Sequence, residues 1–113
     1  MIVPDRGEPG NQMTLQELTD AMNAFVGAMG WYRPESPFVQ SPRNIAISLS
    51  LEAAEVLEHY QWQPDADPEA LSEELADVML YLLQLAYVTG IDLGDAVREK
   101  LARNYQRFGP AAS

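Results

Sequence analysis

The stretch DPEALSEELADVMLYLLQLAYVTG, from Asp67 to Gly90, decides the fold. Asp67-Pro68 is a helix start: a side-chain cap followed by a proline, whose missing N–H costs nothing in the first turn. Gly90 is a helix stop, because glycine accepts the left-handed conformation in which helices commonly end. Between them the spacing predicts a helix to about Thr89. From Leu75 to Val88 it is apolar at 12 of 14 positions, interrupted only by Asp77 and Gln84. That run is too short to cross a bilayer. A helix apolar nearly all round is buried on every side.

The same signals recur outward. Ser41-Pro42 starts a second helix, expected to reach Trp62 and end before Pro64. Thr14 with Glu17 forms a capping box ahead of Leu15, Leu18, Met22 and Phe25, and this first helix should stop near Gly30. Trp31 to Gln40 holds Pro34 and Pro37 and reads as a loop. Asp92 caps a fourth helix that ends near Phe108, before Gly109-Pro110. No useful length alternates with period two, so no strand is expected. The reading is all-α: a four-helix bundle in a single domain, residues 1–113, with a helical core of about 15–108. Four helices of this size ordinarily leave one face of each in water. A third helix with no polar face therefore predicts a partner subunit, hence a homo-oligomer. The competing expectation is a helix sunk centrally in a compact monomer.

The composition is that of an ordinary globular chain, with 47% apolar and 21% charged residues in 113. Seven basic against 17 acidic residues give a net charge of -10, which argues against a nucleic-acid-binding face. There is no cysteine, so disulfides, thiolate zinc sites and cysteine nucleophiles are excluded. Met1 to Asn11 lacks the basic-then-apolar order of a signal peptide. The expectation is a soluble cytoplasmic protein that meets neither nucleic acid nor membrane.

Nine of the 17 acidic residues fall between Glu52 and Asp77, with no Lys or Arg among them. Two spaced pairs stand out: Glu52 with Glu55 on the second helix, and Glu74 with Asp77 on the third. Residues three apart share a helix face. Glu52 and Glu55 lie among Leu49, Leu51, Val56 and Leu57, and Asp77 lies in the apolar run. Carboxylates in such surroundings are costly unless paired or bound to a cation. Antiparallel packing of the two helices would converge all four, and a hard divalent cation would relieve their repulsion. Oxygen-only ligands favour Mg²⁺ or Mn²⁺ over zinc. The plainer alternative, a solvated acidic face, suits Glu58, Asp65, Glu69 and Glu73. His59, the only histidine, reads as a partly exposed side chain. No serine sits in a nucleophile elbow, and there is no glycine-rich phosphate loop.

Glu52-Ala-Ala-Glu55, Gln61-Trp62 and Glu74-Leu-Ala-Asp77 followed by Tyr81 together resemble the MazG-type all-α nucleoside triphosphate pyrophosphohydrolases. Trp31 ahead of Pro42-Arg43-Asn44, and the segment Lys100 to Phe108, are similar to the dCTP pyrophosphatase branch. The resemblance implies that Glu52, Glu55, Glu74 and Asp77 hold Mg²⁺ and act in catalysis. It also implies that Trp31, Trp62 and Tyr81 meet the base, and that Lys100, Asn104 and Arg107 meet phosphate or sugar. The implied reaction converts a (d)NTP to (d)NMP and pyrophosphate, in a homodimer or homotetramer. Two departures touch the base pocket: a longer Trp31–Ser41 loop, and Met22 where that branch has a histidine. The second reading, from another class, is a non-catalytic acidic module that binds a structural cation or a basic partner.

Overall fold

The computed structural model describes residues 12–109, and the segment Met1 to Asn11 lies outside it. Among the described residues there are four α-helices and no strand: α1 Leu15–Ala28, α2 Pro42–Glu58, α3 Pro68–Val88 and α4 Leu93–Phe108. Every start follows the expected chemistry. The Thr14 hydroxyl accepts from the Glu17 N–H while the Glu17 carboxylate accepts from the Thr14 N–H, closing the capping box. Ser41, Asp67 and Asp92 each accept from the N–H three residues on. Pro42 and Pro68 follow two of those caps.

The stops are equally local. After α1, Gly30 adopts a φ of 77°. The Trp31 N–H then donates to the Val26 carbonyl and the Gly30 N–H to that of Gly27. After α3, Gly90 at 73° repeats the pattern, with Ile91 donating to Ala86 and Gly90 to Tyr87. Both are Schellman stops, which satisfy the carbonyls a helix end leaves orphaned. The second helix is shorter than expected and ends at Glu58, not Trp62. His59, Tyr60 and Gln61 each donate to the carbonyl three residues back, so the chain tightens into turns and unwinds. Pro64 disfavours helical geometry at Gln63 and bars any continuation.

α3 is the hub, packed along α2 on one side and α1 on another. The central cluster is Met22, Val26 and Leu83, with Leu18, Trp31, Met79 and Leu93 packed around it. The expected bundle does not close within one chain. Gly90 turns α4 away at 101° to α3, and no residue of α4 is buried. The radius of gyration is 17.1 Å, against roughly 13 Å for a compact chain near this length. Nor does one chain enclose the third helix: α3 buries Leu83, Gln84 and Ala86 and leaves Leu75, Leu80 and Tyr87 exposed. Among the described residues no single helix is long and apolar enough to cross a membrane.

Candidate active site

α2 and α3 run antiparallel, which sets Glu52 opposite Glu74 and Ile45 opposite the later turns of α3. One carboxylate oxygen from each of Glu52, Glu55 and Glu74 lies within 4.8 Å of the others. Oxygen ligands about 2.1–2.6 Å from a hard cation span such distances across it. Glu52 and Glu74 are half-buried and Glu55 is exposed. The Oε2 atoms of Glu52 and Glu74 are buried with no hydrogen-bond partner. Unsatisfied buried carboxylate oxygens are costly, and a divalent cation answers that cost with a ligand bond to each. The residues present therefore fit a hard divalent cation.

The electrostatics agree. The Glu52 carboxyl is held above its ordinary range, first by the carboxyl of Glu74 against it, with which it can share a proton. Burial adds to the shift, and then the negative charges of Glu74 and Asp77, while a hydrogen bond with Glu55 opposes it. His59 Nε2 lies 3.7 Å from Glu74 Oε1, so the lone histidine borders the carboxylates instead of standing apart. Its spacing, four residues after Glu55 and seven after Glu52, sets it on nearly their face of α2, and its side chain is partly exposed there.

Asp77 departs from expectation. It is exposed and does not join the three-carboxylate cluster, although its charge reaches Glu52. The apolar run around it is apolar on every face, including the one that no part of this chain covers. Asp77 instead lines a cavity of about 850 Å³ between α1, the loop after it, α2 and α3. Trp31 stands in its wall, placed there by the Gly30 turn, with Phe25 and Phe38 edge-on at ring-centre distances of 5.6 and 6.1 Å. Tyr81 and Met22 line it too. The volume suits a ligand the size of a nucleotide.

The remaining expected site residues are not gathered by this single chain. Trp62 is 89% exposed in the turn beyond α2. Lys100 and Arg107 are exposed and Asn104 is half-buried on α4. The Arg107 guanidinium sits 5.0 Å from the centre of the Phe108 ring. Conversely, a polar group at the cavity wall escaped the sequence reading. Gln84, one of only two interruptions in the apolar run, is 3% exposed. It donates to Gln40 Oε1 at 2.7 Å and to the Tyr32 hydroxyl at 3.5 Å. Burial pushes the Tyr32 phenol above its ordinary value, so it stays a neutral hydroxyl.

A MazG-like family model matches residues 47–110, which includes both carboxylate pairs. The chain belongs to the MazG-like family. It is 33% identical over 105 residues to dCTP pyrophosphatase 1 of Rattus norvegicus, covering 84% of this chain and 59% of that protein. It is 30% identical over 115 residues to dCTP pyrophosphatase 1 of Homo sapiens, covering 93% of this chain and 65% of that one. The chain thus spans about three fifths of the length of these curated relatives. A crystal structure of a pyrophosphatase from Archaeoglobus fulgidus is similar with a TM-score of 0.71 and 32% identity, over 88% of this chain and 96% of that one.

Proposed function

We propose that the chain is a divalent-cation-dependent nucleotide pyrophosphohydrolase that converts a (d)NTP to (d)NMP and pyrophosphate, clearing surplus or non-standard nucleotides. The observation that carries this reading is the pair of buried, unpartnered oxygens of Glu52 and Glu74 beside a nucleotide-sized cavity with an aromatic wall. The relatives named for dCTP pyrophosphatase activity support it. An acidic patch that docks a basic partner should be solvated, and these oxygens are not.

Glu52, Glu55 and Glu74 would hold the ion, Mg²⁺ or Mn²⁺, with Asp77 at the cavity edge. Such an ion neutralises phosphate charge and lowers the pKa of a bound water. The chain's own residues do the rest. A carboxylate of this cluster, ionised beside the ion, is placed to take the proton of the attacking water. Trp31 and Tyr81 offer ring faces and edges to the base. Asp77 and Gln84 lie seven residues apart on α3, a rise of about 10 Å. That is comparable with the reach from a nucleotide's α-phosphate to the far edge of its base.

The active form in this proposal is a homodimer or homotetramer. Val97, Leu101, Tyr105 and Phe108 form an exposed apolar stripe along α4. Lys100, Asn104 and Arg107 flank it, spaced to share one face. A second copy that covers the stripe brings those three groups to the phosphates of its own site, where Arg binds oxygens bidentately. The uncovered face of α3 is hidden in the same step.

The test is chromatographic product analysis on a panel of nucleoside triphosphates with Mg²⁺, using Glu74→Gln and Asp77→Asn as controls. Monophosphate with pyrophosphate, lost in the variants, is the expected result. Diphosphate with orthophosphate would place the cleavage at the wrong bond. No turnover of any triphosphate would return the chain to the interaction-module reading.

A further inference from the structure

The loop that joins α1 to α2 runs from Met29 to Ser41, long for a helix–helix connection, where about 2–8 residues suffice. Its second half is held by little packing: Pro37, Phe38 and Val39 are exposed. Space also lies on both sides of it. Trp31, Val39 and Gln40 line the main cavity on one side and a smaller cavity of about 250 Å³ on the other. A wall without backing depends on its ties. Among the described residues each neighbouring helix supplies one. The Tyr32 hydroxyl donates to Asn23 Oδ1 on α1 at 2.5 Å, and Asn44 Nδ2 on α2 donates to the Val39 carbonyl at 3.0 Å. From α3, Gln84 Nε2 donates to Gln40 Oε1 at 2.7 Å and to the Tyr32 hydroxyl at 3.5 Å.

The three ties are not equal. Those of Asn23 and Asn44 are exposed, and water can replace either partner. Gln84 is buried, so a partner lost there leaves its amide unpaired. Its bond also has a fixed sense. The Phe38 carbonyl can only accept, so Gln40 turns its amide nitrogen to it, at 2.7 Å. That leaves the Gln40 oxygen to accept and Gln84 to donate. The Gln84 amide is thereby connected through Gln40 to the backbone of Phe38, whose ring stands edge-on to Trp31. We propose that Gln84 is a latch, a positioning residue for nucleotide binding that acts through Gln40 to hold Phe38 and Val39 in the cavity wall beside Trp31. This rests on the nucleotide reading above and adds to it a residue that works through the loop. Glu74 lies ten residues earlier on α3, about 15 Å along its axis, so an opened latch leaves the carboxylates in place. Its signature is weakened binding with intact chemistry.

The experiment uses dCTP, after which the relatives are named, with Mg²⁺, and compares Gln84→Leu, Gln40→Met and the double variant with wild type. Leucine keeps the bulk of glutamine in an apolar helix and removes the amide. Each single variant should raise KM about 10-fold and change kcat less than about threefold. The double variant should be no worse than either single one, because the two amides form one tie. In a Trp62→Phe background, acrylamide should quench Trp31 fluorescence more strongly in both variants, since Phe38 no longer covers that ring. Thermal melting shows which variants fold, and Gln40→Met, on the loop, decides the matter if Gln84→Leu does not. An unmoved KM in the folded variants, a kcat that falls as far as KM rises, effects that multiply in the double variant, or unchanged quenching overturns the proposal. If the wild type hydrolyses no triphosphate, the pyrophosphohydrolase reading fails by itself. The latch is then judged by Trp31 quenching, which needs no nucleotide: stronger in both variants upholds it, unchanged overturns it.

Discussion

Glu52 and Glu74 face each other across the α2–α3 seam, each with one carboxylate oxygen buried and unpartnered. Without a cation this arrangement works against the fold. Glu52→Gln should therefore stabilise the cation-free protein while abolishing its response to metal. An increase in Tm of roughly 4–8 °C, the shift that about 1 kcal/mol produces in a domain this small, is expected by differential scanning fluorimetry. Added Mg²⁺ should raise Tm in the wild type and not in the variant. Hydrolysis in the variant should fall about 100-fold or more. A variant that melts lower than wild type without cation would contradict this account of the pair.

The pH dependence follows from the same pair. The folded Glu52 carboxyl titrates above its ordinary value of 4.5, so the folded chain holds its proton more tightly than the unfolded chain does. Its stabilising contribution is thus present below 4.5 and lost as pH rises through the folded value. Cation-free Tm should decline over that window, and the decline should be absent in Glu52→Gln. With saturating Mg²⁺ the trend should reverse, because the ion requires the ionised form.

The stripe of Val97, Leu101, Tyr105 and Phe108 should be covered by a second copy in solution. Light scattering behind size exclusion should report a mass of at least two chains. Leu101→Asp should lower that mass and reduce triphosphate turnover at least tenfold, since Lys100, Asn104 and Arg107 would then reach no neighbouring site. A monomeric wild type with full activity would refute the shared-site arrangement.

Gly30→Ala tests how the cavity wall is placed. A β-carbon at Gly30 meets only the flexible Arg33 side chain, at 3.7 Å, so space is not the obstacle. The φ of 77° is, and a non-glycine residue there costs about 1–2 kcal/mol. The turn it disturbs delivers Trp31 to the cavity, so nucleotide binding should weaken alongside stability. A Trp62→Phe background leaves Trp31 as the single tryptophan whose fluorescence reports this.

The helices were legible because their ends are written locally. Thr14, Ser41, Asp67 and Asp92 cap as their types dictate, and Gly30 and Gly90 stop as theirs do. The pairing of Glu52 with Glu74 was also legible, since unbroken acidity at helical spacing has few explanations. What sequence periodicity did not carry is which face each helix leaves bare. It therefore placed Asp77 in a buried cluster, and it gave no sign that α4 departs from α3 at 101°. It extended α2 to Trp62, because nothing in Tyr60 or Gln61 opposes a helix until Pro64. It passed over Gln84 because one amide in an apolar run reads as tolerated polarity. Its importance rests on Gln40 and Tyr32, which are 44 and 52 residues away.

The two carboxylate-bearing helices both begin on a capped proline. Glu52 lies ten residues after Pro42, and Glu74 lies six after Pro68. Each residue of an α-helix advances its direction by about 100°. One residue inserted between Pro42 and Glu52 would swing Glu52 off the seam, whereas one inserted before Ser41 or Asp67 would leave both carboxylates in phase. The chain is thus ruled into segments whose length sets the phase of the carboxylates and segments whose length does not. The approach to Ser41 is of the second kind, yet it carries Trp31 and Gln40 into the cavity wall, so a change in its length would alter the ligand pocket and leave the carboxylates in phase.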